Sequence, residues 1–429
     1  MTAFLALTHT NQGRVFTDLP NYIIKHELSP SDKLNIMYAD AFYDVADSER
    51  EAADIAVASA MQIKAAKAPP KVPKVFLSNN CSFNCAYCGC RCTHDKEKYC
   101  FAPKELAQIS VDAAKRTGQG IFVTSAVYKN ADYTQELIIE TVKSIRNDCG
   151  YLGYLHAKVM PGADPALIRE TGLFANRLSV NIEVARSEGY QMIARQKNKS
   201  NILAPMRQIS DYIAGARAER AKFAASQTTQ LMAGSTGEDD RTILTLSSAM
   251  YKKYRLKRVY YTPFKYEHPA IGYDNLSAVR TPQWRMRRLY QADRLMELYG
   301  FAPEEITPPE YTYLEQDLDP KAAWALRHLD IYPVELNTAG YETLLRIPGI
   351  GTTFAKRIIE ARKICGLTFE TVKRMRVPMD KSGKFFTCGG LYMGGLTDNV
   401  RAMRAALADP AESAGVEQLS LDVVGEGFC

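Results

Sequence analysis

Apolar positions gather along the chain in short runs rich in β-branched and aromatic residues, at 74–79 (KVFLSN), 120–125 (GIFVTS), 153–159 (GYLHAKV), 177–183 (RLSVNIE), 228–234 (TTQLMAG) and 258–264 (RVYYTPF). Each reads as a strand. Between them lie helical patterns at 103–117, with Pro103 in the first turn, at 134–147 and at 204–223. Six strands alternating with helices predict parallel pairing through right-handed crossovers. The expected fold is therefore α/β, a partial (β/α)6 TIM-type barrel over 71–300. Residues 1–70 form an N-terminal extension, ending in a linker, Ala68-Pro69-Pro70-Lys71-Val72-Pro73, that cannot be helical. Residues 301–330 are expected to link the barrel to a helical domain at 331–404, and 405–429 to form a flexible acidic tail.

The pattern changes in the second half. Residues 341–363, YETLLRIPGIGTTFAKRIIEARK, read as helix, turn and helix, with Pro348-Gly349-Ile350-Gly351 as the turn. The glycines permit tight backbone geometry, and Thr352 and Thr353 open the second helix. Backbone N–H groups there, with Lys356 and Arg357 one turn on, suit a phosphate. The segment resembles a helix-hairpin-helix motif, a sequence-independent clamp on the DNA backbone, with Ile347, Ile350, Ile358 and Ile359 as its core. Phosphate contacts position a protein without reading bases. Hairpins that are purely structural modules are the alternative.

Composition narrows the class. An apolar fraction of 46% and a charged fraction of 24% are those of an ordinary soluble protein, and no apolar run nears the roughly 20 residues of a membrane span. No signal peptide is recognised, and a cytoplasmic location is expected. The net charge of +6 is unevenly spread: residues 331–390 carry ten Lys or Arg against five Asp or Glu, whereas 401–429 carry two against five. A basic segment before an acidic tail points towards nucleic acid. Basic and aromatic residues also interleave at Arg280, Trp284, Arg285, Arg287, Arg288, Tyr290 and Arg294. They could line a nucleic-acid groove or form a solvated helix face.

The chemistry-bearing motif follows the first strand. Cys81-Ser82-Phe83-Asn84-Cys85-Ala86-Tyr87-Cys88 is a C-x3-C-x2-C triplet. Iron–sulfur clusters usually take four cysteines, so three suggest a [4Fe-4S] cube with one iron open to something other than protein. A structural zinc site completed by Cys90, Cys92 or Cys100 is the alternative reading. Ten cysteines in 429 residues are too few for a disulfide framework. Active sites of such barrels lie at the carboxyl ends of the strands, where this loop falls. The other strand ends then offer Thr124 and Ser125, His156 and Lys158, Asn181 and Glu183, and Gln227, Thr229 and Gln230. Alternation puts Asn181 and Glu183 on one side, where an unsatisfied polar group costs about 1–3 kcal/mol; they either hold a ligand or merely pair with basic neighbours.

The triplet, with an aromatic residue before its third cysteine, resembles the signature of the radical S-adenosylmethionine superfamily. The resemblance implies a cluster on Cys81, Cys85 and Cys88, with S-adenosyl-L-methionine on the open iron. It further implies Tyr87 near the adenine, Ser125 near the amino group, and Asn181 and Glu183 at the ribose. The second strand ends in Thr124-Ser125-Ala126 where many members carry a Gly-Gly-Glu-like motif. Together with Pro205-Met206-Arg207-Gln208-Ile209, Leu256-Lys257-Arg258-Val259-Tyr260-Tyr261, Leu289-Tyr290-Gln291-Ala292-Asp293, Leu318-Asp319-Pro320-Lys321 and the hairpin, the loop resembles the DNA modification or repair radical S-adenosylmethionine proteins. The likeness covers roughly residues 30–390. It implies a DNA substrate gripped by Gly349, Ile350, Gly351, Lys356 and Arg357, a uracil-DNA glycosylase-like partner, and an electron donor such as flavodoxin or ferredoxin. Two alternatives remain beside it: a radical enzyme acting on transfer RNA, and a non-catalytic iron–sulfur DNA-binding module.

Overall fold

The computed structural model describes residues 74–95, 97–266, 273, 279–395 and 399–408. The expected extension at 1–70 and its proline-rich linker lie outside the described residues, as does the tail beyond 408. Six strands, β1 (Lys74–Phe76), β2 (Ile121–Thr124), β3 (Leu155–Lys158), β4 (Arg177–Ser179), β5 (Ser226–Ala233) and β6 (Arg258–Pro263), pair in parallel in the order of the chain. Neighbours pair only with neighbours and β1 does not meet β6, so the sheet curls into an open half-barrel. Helices α1 (Pro103–Thr117), α2 (Ala131–Lys143), α3 (Pro165–Phe174), the short α4 (Gly189–Ile193), α5 (Lys199–Glu219) and α6 (Asp240–Tyr254) make the crossovers. Burial explains the order. Val123, Ala157, Leu178 and Leu231 on the strands and Leu106, Ile138, Ile168, Met206 and Ile243 on the helices are all shielded from water, each large one contributing about 1.5–3 kcal/mol.

The sequence placed α1 to the residue, because Pro103 opens it and Gly118 closes it at φ +67°. Helix α5 starts five residues earlier than the apolar pattern indicated. Asn198 caps it, accepting from the Asn201 N–H at 2.9 Å, and Pro205 lies inside the helix. The fourth strand is shorter than its run: β4 stops at Ser179, and Glu183 takes φ +65°. Strand alternation therefore does not extend to Asn181 and Glu183.

After the barrel come the strand pair β7 (Lys265–Tyr266) and β8 (Val279–Arg280), then α7 (Gln283–Tyr299). The stretch 301–330, expected as a linker, holds α8 (Pro303–Ile306) and α9 (Pro320–Arg327), with Ile306, Leu314, Leu318 and Trp324 buried. The C-terminal part consists of β9 (Val334–Glu335), α10 (Tyr341–Arg346), α11 (Thr352–Ile364), α12 (Phe369–Arg374), α13 (Met379–Ser382), β10 (Phe386–Cys388), β11 (Leu391–Tyr392) and α14 (Val400–Leu407). Its strands form a small sheet in the order β11-β10-β9. Helix α14 reaches into the expected tail, burying Met403 and Leu407 while Arg404 pairs with Glu315 and Asp317.

Much of the basic stretch at 280–294 is spent on the scaffold. Within α7, Arg285 pairs with Asp240 at 2.7 Å, and the buried Arg288 donates to the Glu315 and Gln316 carbonyls. Tyr290 bonds the backbone of Tyr261, and Arg294 pairs with Glu297. The motif residues Arg258, Tyr261 and Asp293 meet in one buried network. The Asp293 carboxylate accepts from Tyr251 at 2.8 Å, Tyr261 at 3.1 Å and Arg258 at 3.3 Å.

Candidate active site and helical hairpin

The cysteine loop leaves the carboxyl end of β1 and is sewn to its neighbours by backbone bonds. Ser82 N–H donates to Val127 O at 2.8 Å, Ala86 N–H to Ile193 O at 2.9 Å, and Cys92 N–H closes the loop on Phe83 O at 2.9 Å. Two amides point at sulfur: Phe83 N–H at Cys81 Sγ, 3.3 Å, and Cys90 N–H at Cys88 Sγ, 3.4 Å. Burial pushes the Cys81 thiol up to about 11 and that of Cys85 to about 12, with the other thiols on the loop adding to the effect. The hydrogen bond from Cys90 brings Cys88 down to about 7. Among the described residues no three His, Cys, Asp or Glu side chains have the geometry of a metal site. None of the nine described cysteines is in a disulfide.

Lys197 and Glu183 stand beside this loop. Lys197 Nζ donates to Glu183 Oε1 at 2.6 Å and to the Tyr87 hydroxyl at 3.2 Å. Burial opposes the charge on Lys197, but Glu183 and then Cys85 outweigh it and hold the ammonium above its ordinary range. Burial, then the Glu183 charge, raises the Tyr87 phenol. Glu183 is 4% exposed and sits in the left-handed backbone region, which is uncommon for a residue with a long side chain. Its backbone is fixed on both sides, N–H to Gln230 O at 2.9 Å and O from Met232 N–H at 2.8 Å. Such over-determined strain is typical of functional sites. Lys197 and Gln196, whose Oε1 accepts from Asn84 N–H at 3.3 Å, carried no signal in the sequence. They follow α4 and reach the loop only through the fold.

Of the other strand-end candidates, Ser125 directly follows β2 and its hydroxyl is buried without a hydrogen-bond partner. Asn181 is half-buried. The hydroxyls of Ser179 and Thr228, register partners on β4 and β5, are likewise buried and unsatisfied. The orphaned Ser125 hydroxyl at the carboxyl end of β2 fits a polar ligand, since it costs about 1–3 kcal/mol unless something bonds it. Four of the remaining candidates make contacts within the scaffold. Gln227 bonds the Met206 and Tyr254 carbonyls, Thr229 bonds Val180 O, Gln230 bonds Thr262, and His156 stacks on Phe122 at 3.9 Å.

In the C-terminal part, α10 and α11 form the hairpin, with Ile347, Ile350 and Ile358 fully buried and Ile359 half-buried. The turn faces the protein more than the sequence indicated. Gly349, at φ +79°, lies so close to α13 that a Cβ would clash with Ser382 Oγ. At Gly351 a Cβ would meet the Tyr299 hydroxyl at 2.9 Å. The buried Lys321 donates to Ile350 O at 2.5 Å, and burial brings its ammonium down to about 7. Ile350 turns its side chain into the hairpin core, as expected of it, and its carbonyl, on the turn also expected to grip DNA, is taken by Lys321. Lys356 and Arg357 are exposed on α11.

A family model described as a helix-hairpin-helix motif matches residues 330–376. No curated protein matches the chain. Among solved structures, that of HydG, a maturase of the [FeFe]-hydrogenase, is similar at 15% sequence identity with a TM-score of 0.40. The match covers 63% of this chain and 62% of that one, so the chain spans less than two thirds of HydG. Likeness at this level assigns no activity. No described helix is long and apolar enough to cross a membrane.

Proposed function

We propose that the chain is a radical S-adenosylmethionine enzyme that modifies or repairs a nucleotide in DNA. The observation that carries this reading is the placement of three thiols on one loop, two of them with amides directed at their sulfurs, together with the unsatisfied Ser125 hydroxyl and a fixed Lys197–Glu183 pair at the carboxyl end of one half-barrel. Cys81, Cys85 and Cys88 would hold a [4Fe-4S] cluster; the Ser125 hydroxyl, Asn181 and Glu183 would bind the S-adenosylmethionine amino group and ribose, and Tyr87 would pack near the adenine. When bound, that pair supplies a 5′-deoxyadenosyl radical for hydrogen abstraction. The chain's own residues bind, orient and exclude water: Lys197 keeps the Glu183 carboxylate aligned, and the loop's ties to Val127 and Ile193 hold the thiols in a buried setting.

The helix-hairpin-helix match supports DNA as the substrate, with Lys356 and Arg357 on the phosphates. A base must leave the stack to reach the barrel mouth, at a cost of a few kcal/mol that is smallest at damaged sites. This reading calls for an electron donor such as flavodoxin or ferredoxin, accommodates a uracil-DNA glycosylase-like partner, and suits the cytoplasm. The test is 5′-deoxyadenosine formation by the anaerobically reconstituted, reduced protein with duplex DNA, single-stranded DNA or transfer RNA at one salt concentration. Stimulation by DNA is expected, with iron and product both lost in Cys85→Ala and both retained in Cys365→Ala. Stimulation by transfer RNA alone would move the substrate to RNA. An intact cluster with no product under any condition would leave a non-catalytic DNA-binding module.

A further inference from the structure

Strands β10 and β11 form a hairpin whose loop is Gly389-Gly390, at φ +60° and +80°. Two successive positive φ values are what a type I′ turn requires. The turn is braced from outside, since the Glu335 carboxylate accepts from Gly389 N–H at 3.0 Å, Gly390 N–H at 2.9 Å and the Thr387 hydroxyl at 2.9 Å. Beyond the turn, the Tyr392 hydroxyl donates to Lys384 O at 2.9 Å. A hairpin held this firmly nonetheless presents large apolar side chains to water: Leu391 is 71% exposed, Met393 65% and Tyr392 39%. Contiguous apolar exposure marks an interaction surface.

Charge selects the partner. Residues 352–395 carry nine Lys or Arg against three Asp or Glu, so this segment alone holds the whole chain's excess of +6. Lys356, Arg357, Lys373, Arg374 and Arg376 are exposed on it. The tip is also continuous with the hairpin turn of α10 and α11. Gly349 packs on Pro378 and Ser382, and Lys384, two residues further, touches both Tyr392 and Gly395. An apolar point among cations matches a polyanion with an apolar interior, which is duplex DNA: phosphates outside, stacked bases within. Leu and Met are among the side chains that enter base steps and partly unstack them.

We propose that Leu391 and Met393 are a wedge that enters the duplex beside the phosphates gripped by the helical hairpin and unstacks the nucleotide offered to the barrel. This inference rests on the DNA reading above. The experiment binds the full chain to a duplex with a central 2-aminopurine and an end label, reading 2-aminopurine fluorescence and label anisotropy in the same samples. The wild type should bind and raise the fluorescence several-fold. L391S/M393S, with a wild-type circular dichroism spectrum, should still bind through phosphate contacts but lose the rise. Binding without a rise, or an undiminished rise in L391S/M393S, overturns the wedge and leaves the DNA reading standing. No binding by the wild type at low salt overturns that reading itself. Self-association of the wild type that L391S/M393S abolishes, with the rise unchanged, would assign the patch to a second copy of the chain and also overturn the wedge.

Discussion

Lys197 and Glu183 are nearly buried, with side chains 12% and 5% exposed, and each is the other's compensation. Removing one partner of a buried pair leaves an uncompensated charge, at a cost of about 3–5 kcal/mol. Lys197→Met should therefore lower stability in urea unfolding by that order. Glu183→Gln, which keeps an acceptor for the ammonium, should cost less. The double variant should recover part of the loss of Lys197→Met, giving a coupling energy of about 0.5–3 kcal/mol in the double-mutant cycle. Additive losses would mean that the two residues act separately. Glu183 was legible in the sequence as a polar residue at a strand end, but its partner was not. Lys197 lies fourteen residues on, after an intervening helix, and no periodicity links the two.

At the scale of elements, the small C-terminal sheet depends on one carboxylate. Burial alone would raise Glu335, but the amides of Gly390, Asn337 and Gly389 outweigh it and hold the group at about 2 instead of its ordinary 4.5. A carboxyl depressed in the fold contributes stability that is complete above the ordinary value and is lost as pH falls towards the folded one. The wild type should therefore exceed Glu335→Gln in stability at pH 6, and the gap should close between about pH 4.5 and 2. Thermal unfolding of both proteins across that range checks it; a gap that persisted at pH 2 would remove the clamp. The sequence revealed α10, the turn and α11 because apolar spacing and a Pro-Gly-Ile-Gly turn are local signals. It gave no notice of β9, β10 and β11, where strands of two or three residues pair a segment near 335 with one near 388.

At the scale of the molecule, barrel and hairpin are joined by residues that the sequence offered as motifs. Asp293 ties α7 to β6 through Arg258 and Tyr261, and Lys321 on α9 holds the turn between α10 and α11. Arg346 of α10 lies over Phe301 at 3.6 Å and pairs with Glu305 at 3.0 Å. Asp293→Leu would strip the acceptor from two buried phenols and weaken the pairing of Arg258, so it should destabilise the protein by about 3–5 kcal/mol. Near-neutral behaviour in urea unfolding would show the network to be dispensable.

The sequence by itself determined the order of the six strands, the helices between them, the cysteine loop at the first strand end and the helical hairpin. All of these follow from periodicity, turn residues and spacing within a few positions, which is the range over which backbone preference acts. Only the tertiary structure decided that Arg285 and Arg288 brace the scaffold, that Lys197 answers Glu183, that Lys321 takes the Ile350 carbonyl, and that Leu391 and Met393 stay in water beside a basic surface. Those outcomes depend on which side chains from distant segments arrive within about 3 Å of one another, a quantity that a linear pattern does not carry.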